Sequence, residues 1–181
     1  MKDVNPWQFI LEYISVKCSK RFDFYSIENN QLYLQGNAKM NIEGNSIKRI
    51  DCSEIQNCFS FWDFEKNIEK RKRIEFEVEN NIRIMYAYIL NKRYIAGMSL
   101  RPMDNRTMYL SYLAVNEEYR NQGIGSEMIR YACQTSKNIG FSYLILNVDH
   151  DNTRAGSLYK KLGFSEFKND GKTIVMCKQL D

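Results

Sequence analysis

The chain has 181 residues, 44% of them hydrophobic and 27% charged, a length and composition that suit one hydrophobic core and exclude two full domains. No apolar run approaches the roughly 20 residues that a membrane-spanning helix needs, so no membrane partner is expected. A formal net charge of +4 is too modest to argue for a polyanionic partner, and five scattered cysteines (Cys18, Cys52, Cys58, Cys133, Cys177) argue against a disulfide framework or a structural metal.

In chain order, the first residues, Met-Lys-Asp-Val-Asn-Pro, lack a basic stretch leading into an apolar one, so no leader is expected and the expected location is cytoplasmic. Asn5 and Pro6 make an N-cap and first-turn pair, and Trp7, Ile10, Leu11 and Ile14 share one helical face. Leu32 and Leu34, then Ala38, Met40 and Ile42, alternate on either side of Gly36-Asn37, which predicts a hairpin. Residues 46–51 read as the first strand of the main domain. Ser53-Glu-Ile-Gln56 has the capping-box pattern, predicting a helical region that runs toward Arg73. Within it, the basic run Lys70-Arg-Lys-Arg73 has no interleaved aromatics, so it reads as a solvated face or a helix end, and nucleic acid is not an expected partner.

Three strands follow, at 83–90, 94–100 and 107–115, separated by the turn signals Asn91-Lys92 and Pro102-Met-Asp-Asn105, which predicts an antiparallel meander. After the third strand comes Arg120-Asn-Gln-Gly-Ile-Gly125, and then a helical pattern in Met128, Ile129, Ala132 and Cys133. A further strand at 142–148, a helix opened by Asn152 and a closing strand at 173–178 complete the order. The expected class is α+β, a mixed and mostly antiparallel sheet flanked by helices. Residues 1–45 form an extension and residues 46–181 the domain.

Glycines between a strand and a helix let backbone N–H groups approach a ligand, and the helix start adds a positive dipole end. Taken alone, such a Gly-x-Gly reads first as a tight strand-to-helix turn. It does not stand alone: Asn152-Thr-Arg-Ala155 and Leu158-Tyr-Lys-Lys-Leu-Gly-Phe164 follow at a fixed distance. On these two linked motifs, over residues 110–164, the chain resembles the GCN5-related N-acetyltransferase (GNAT) superfamily. Arg120, Gly123 and Gly125 fill its first pattern; Asn152, Ala155, Tyr159, Gly163 and Phe164 fill its second.

The resemblance implies acetyl-CoA as co-substrate, a sheet splayed at its middle strands and transfer to a primary amine of a small molecule or protein. It implies that Leu113, Ala114 and Val115 pair with the pantetheine arm. Asn121, Gln122, Gly123, Ile124, Gly125 and Ser126 would then offer N–H groups to the pyrophosphate beside Arg120, and Asn152 would bond the arm. Tyr159 would protonate the leaving thiolate. Two plainer readings stand beside these: Asn152 as a helix N-cap, and Tyr159 as one member of a core face with Leu158, Leu162 and Phe164. No metal enters. The general base is not assigned: Asn147 occupies the position of a glutamate found in peptide acetylators, leaving Asp149, Glu117, Glu118, His150 or a water held by Ser111. Phe59-Ser-Phe-Trp-Asp-Phe-Glu65 could face a cationic acceptor or bury its aromatics. A non-catalytic acyl-CoA sensor is the alternative function, and monomer or homodimer is left open. A nucleotide P-loop fails because no Gly-Lys-Ser/Thr follows the loop.

Overall fold

The computed structural model describes residues 25–28, 31–34, 40–42, 45–58, 62 and 67–180. The strands are β1 (Tyr25–Glu28), β2 (Gln31–Leu34), β3 (Met40–Ile42), β4 (Asn45–Ile50), β5 (Ile84–Leu90), β6 (Arg93–Pro102), β7 (Thr107–Val115), β8 (Tyr143–Asp149), β9 (Ser165–Asn169) and β10 (Thr173–Gln179). The helices are α1 (Cys52–Ile55), α2 (Ile68–Glu79), α3 (Ile124–Asn138) and α4 (Thr153–Lys161). β1 and β2 form a small sheet of their own. The other strands make one eight-stranded sheet in the order β3-β4-β5-β6-β7-β8-β10-β9. Every neighbour in it is antiparallel except β7 and β8, which run parallel because α3 carries the chain back across the sheet. The class is α+β, as expected.

Three local expectations are corrected. The two alternating segments near Gly36-Asn37 are strands but do not pair with each other: β2 pairs with β1, and β3 with β4. The capping box begins two residues earlier than Ser53. Asp51 is the N-cap, accepting from the Glu54 N–H at 3.2 Å, while the Glu54 carboxylate accepts from the Asp51 N–H at 3.4 Å. Ser53 instead donates to the Asp51 carboxylate at 2.6 Å. The helical region is also two pieces, α1 with a 3-10 turn at Gln56–Cys58 and then α2, which reaches Glu79. β9 was not expected, because its five residues are all exposed and show no apolar alternation. The helix expected from Asn5 lies outside the described residues.

The basic run sits in the first turns of α2, where the dipole favours anions, so it caps nothing. Lys72 and Arg73 face water, Arg71 pairs with Glu75 at 2.7 Å, and the Lys70 ammonium lies 4.8 Å from the centre of the Tyr112 ring.

Two apolar clusters cover the sheet's two faces. One packs Met98, Leu100, Met108 and Leu110 against Met128, Ile129 and Ala132 of α3, with Leu144, Leu146, Tyr159 and Phe164. The other packs Met85 and Ala87 against Ile55, Cys58, Trp62, Ile74 and Val78. The strand that joins them is irregular. Gly97 faces Ala114 but Ser99 faces Ser111, so Tyr112 and Leu113 together oppose Met98, a β-bulge. Tyr112 adopts φ +54°, which costs a non-glycine residue about 1–2 kcal/mol. The bulge also resets the side-chain alternation: Leu113 and Val115 join Met108 and Leu110 on the α3 face, while Tyr112 and Ala114 join the other.

Candidate active site

β7 and β8 pair from Thr107↔Tyr143 to Leu110↔Leu146 and then separate, although β7 continues to Val115 and β8 to Asp149. The gap opens at the bulge. The Asn116 N–H donates to the Ile95 carbonyl of β6 at 2.8 Å, so by alternation the peptide groups of Val115 and Leu113 turn away from β6 and into the gap. Leu113, Ala114 and Val115 thus line an unpaired strand edge, onto which an extended amide-bearing chain can bond as a strand does.

At the end of this edge a 3-10 turn, Glu117–Tyr119, leads to the glycine loop. Asn121 and Gly123 both take left-handed backbone, at φ +66° and +83°. Gly123 is the N-cap of α3 and has no side chain to close it, so the N–H groups of the helix's first turn, at Ile124, Gly125 and Ser126, point outward unmet by any cap. Gln122 donates to the Glu118 carbonyl at 3.3 Å and so braces the loop. Arg120 folds back over it: Nε donates to the Val115 carbonyl at 3.2 Å, and Nη1 lies 3.2 Å from a Glu117 carboxylate oxygen.

Asn152 caps α4, its Oδ1 accepting from the Ala155 N–H at 3.1 Å. The cap occupies only the carbonyl end of the amide, leaving the NH₂ end as the part suited to a ligand. Tyr159 is 9% exposed and meets Phe164 edge-to-face with ring centres 5.9 Å apart. Burial pushes its hydroxyl above the ordinary value of 10, and nearby Tyr109 of β7 pushes in the same direction. It is a core member, as the plainer reading had it, and it is also a tyrosine held protonated across the neutral range.

The structure brings no candidate base forward. Asn147 is exposed on β8 opposite Val175. Asp149 is exposed, and its carbonyl accepts from the Asn152 N–H at 2.9 Å. Glu117 is tied to Arg120, Glu118 is exposed, and His150 is exposed with Nδ1 3.7 Å from Asp151. Of the aromatic segment 59–65 only Trp62 is described. It is 3% exposed and its indole N–H donates to the Tyr112 carbonyl at 2.6 Å, so this ring buttresses the bulge rather than facing an acceptor.

Sequence reading missed what lies beneath the bulge. Arg83 is buried, with Nε 2.6 Å from Glu77 and Nη1 donating to Ser99 at 2.7 Å and Ser111 at 2.8 Å. The two serines, directly opposite on β6 and β7, are themselves 2.8 Å apart, and the guanidinium lies 5.2 Å from the Tyr112 ring centre. The Ser111 hydroxyl, one candidate for holding a catalytic water, is thus engaged with Arg83 and Ser99. The available signal was a serine breaking each of two apolar strands, but nothing in the spacing paired them with Arg83.

Residues 49–164, more than half of the chain, match the Acetyltransferase (GNAT) family. The chain is 32% identical over 93 residues to N-alpha-acetyltransferase 30 of Schizosaccharomyces pombe, covering 51% of this chain and 58% of that protein. It is 45% identical over 58 residues to the thialysine N-epsilon-acetyltransferase of Bos taurus, covering 32% of this chain and 34% of that protein. The match thus spans a little over half of one relative and about a third of the other. The fold is similar to that of the PaiA N-acetyltransferase of Thermoplasma acidophilum, solved in complex with coenzyme A: TM-score 0.65 at 19% identity, over 76% of this chain and 99% of that one. The glycine loop and the α4 motif both lie within the matched stretch, one following each strand at the open end of the parallel β7–β8 pair, and the chain belongs to the acetyltransferase (GNAT) family.

Proposed function

We propose that the protein moves an acetyl group from acetyl-CoA to a primary amine by direct attack within a ternary complex. The observation that carries this reading is the meeting, at the open end of the β7–β8 pair, of an unpaired β7 edge and an uncapped helix start; the α4 motif beside them supplies Tyr159, held protonated by burial. A primary alkyl amine has a pKa near 10, so only about one molecule in a thousand is a free base at pH 7, and loss of its proton must accompany attack. As nitrogen adds to the thioester carbonyl, negative charge develops on oxygen, and an N–H of the bulged strand is the group suited to meet it. Collapse breaks the C–S bond, Tyr159 gives its proton to the departing thiolate, and solvent returns a proton to Tyr159 before the next turnover. The proton lost by the amine leaves to solvent or a base not identified in the chain.

The reading uses no metal. The names of the two relatives, an α-amine and an ε-amine transferase, support an amine acceptor without choosing between protein and small molecule. The family match beginning at residue 49 supports a transferase domain over 46–181, with residues 1–45 as an extension whose β3 adds an edge strand to the sheet. Cys52, Cys58, Cys133 and Cys177 are free thiols, which fits a reducing cytoplasm. Among the described residues no helix is long and apolar enough to cross a membrane.

Two measurements test this. A panel of amines scanned with acetyl-CoA, following thiol release, should yield turnover with one acceptor class; binding of acetyl-CoA with no turnover on any amine would favour the sensor alternative. In melting scans, acetyl-CoA at a hundred times its Kd should stabilise the protein by about 2.7 kcal/mol. Gly123→Asp should fold but melt somewhat below wild type without ligand: a Cβ there meets no atom within 4 Å, yet the left-handed backbone at φ +83° costs a non-glycine residue about 1 kcal/mol. It should lose the acetyl-CoA shift, because its carboxylate would stand where the pyrophosphate belongs. A folded Gly123→Asp protein that still shifts would move the phosphate site elsewhere.

A further inference from the structure

Arg120 is the cation that the family motif puts at the diphosphate, yet its guanidinium is turned into the loop, on the Val115 carbonyl and beside the Glu117 carboxylate, which offsets its charge. Arg154 is placed differently. It is the second residue of α4, it is exposed, and its Nη2 donates to the Asn121 side-chain oxygen in the glycine loop, 33 residues earlier. Among the described residues no carboxylate pairs with it, and one donated bond leaves most of its N–H groups unused.

The helix end on which it sits is itself positive. A cation in the first turn of a helix opposes the helix dipole. Through Asn121, this cation is also tied beside the uncapped N-terminus of α3, so a full charge and two positive helix ends gather at the mouth of the loop. Without a ligand this arrangement is unfavourable, and an anion relieves it. A planar guanidinium suits a phosphate better than any other side chain does, because two of its N–H groups match two phosphate oxygens.

We propose that Arg154 is a phosphate-binding residue of the acetyl-CoA site, held in place by the Asn121 side chain, and that it supplies there the uncompensated charge that Arg120 does not. The proposal rests on acetyl-CoA being the co-substrate. It also gives the pairing of the two sequence motifs a physical purpose: the α4 motif contributes a charge to the ligand group that the glycine loop holds.

The test compares wild type, Arg154→Gln and Arg154→Lys with three donors. These are acetyl-CoA, acetyl-dephospho-CoA, which lacks the 3′-phosphate, and S-acetylpantetheine, which has no diphosphate. Affinities are measured by calorimetry, and by competition for the weakest. Arg154→Gln should weaken acetyl-CoA about tenfold to a hundredfold, leave S-acetylpantetheine unchanged and melt like wild type; Arg154→Lys should recover part of the loss. If the loss persists with acetyl-dephospho-CoA, the diphosphate is the group bound. If it disappears, the 3′-phosphate is. An equal loss on S-acetylpantetheine, or no loss on acetyl-CoA, overturns the proposal. Wild type that binds none of the three donors overturns the co-substrate reading and this proposal together, whereas tight wild-type binding left intact by Arg154→Gln overturns only this one.

Discussion

Replacing Tyr159 by phenylalanine is expected to lower turnover about 100-fold at saturating substrates while changing acetyl-CoA affinity little. The substitution keeps the ring, its edge-to-face contact with Phe164 and its place among Leu158, Leu162 and the sheet, so the fold loses almost nothing. It removes only the hydroxyl. A general acid contributes roughly 10²–10⁴ in rate, and the low end applies because CoA thiolate is already a fair leaving group. A hundredfold loss corresponds to about 2.7 kcal/mol of transition-state stabilisation. Because burial raises the hydroxyl above its ordinary range, this proton stays in place across the neutral region, and the wild-type rate should not fall there through Tyr159 ionisation. Steady-state kinetics decide the matter: full turnover by Tyr159→Phe would leave the residue a purely structural one.

The second large effect is one of stability. Arg83→Met should destabilise the protein by about 3–5 kcal/mol, because it strands the Glu77 carboxylate in a site only 8% exposed. It also removes the donor that both Ser99 and Ser111 accept from. The double variant Glu77→Gln/Arg83→Met should recover a large part of the loss, since replacing both members of a buried pair is far milder than breaking it. Denaturant midpoints at constant slope would measure both. Equal losses in the single and double variants would show that the guanidinium stabilises the fold through the serines and the Tyr112 ring, not through Glu77. The site should suffer with the fold: Arg83 ties β6 to β7 one residue before the bulge, and a looser bulge would misdirect the Leu113 and Val115 peptide groups.

Much of the main domain was legible in the primary structure, because each of its signals is short in range. The strand at Thr107–Val115, the glycine loop, the helix after it and the Asn152 cap all lie within about sixty residues and are written in periodicity, glycine placement and capping chemistry. β9 was not legible, because a two-sided exposed edge strand carries no hydrophobic period. The misplaced hairpin had a related cause. Alternation marks Leu32, Leu34, Met40 and Ile42 as strand residues, but which strands pair depends on what each edge meets in space.

By itself, then, the sequence determined that there is a strand–glycine loop–helix unit with a linked Asn-to-Phe helix motif, since backbone sterics and side-chain period act over a few residues. Only the tertiary structure decided where the strands part, that Tyr112 bulges there over a buried Arg83–Glu77 pair, and that Arg154 reaches Asn121 while Arg120 turns inward. Those depend on polar groups separated by up to 33 residues in the chain yet within hydrogen-bonding reach in space. No local pattern encodes such meetings, because the low-dielectric interior that makes them consequential exists only once the sheet has closed around them.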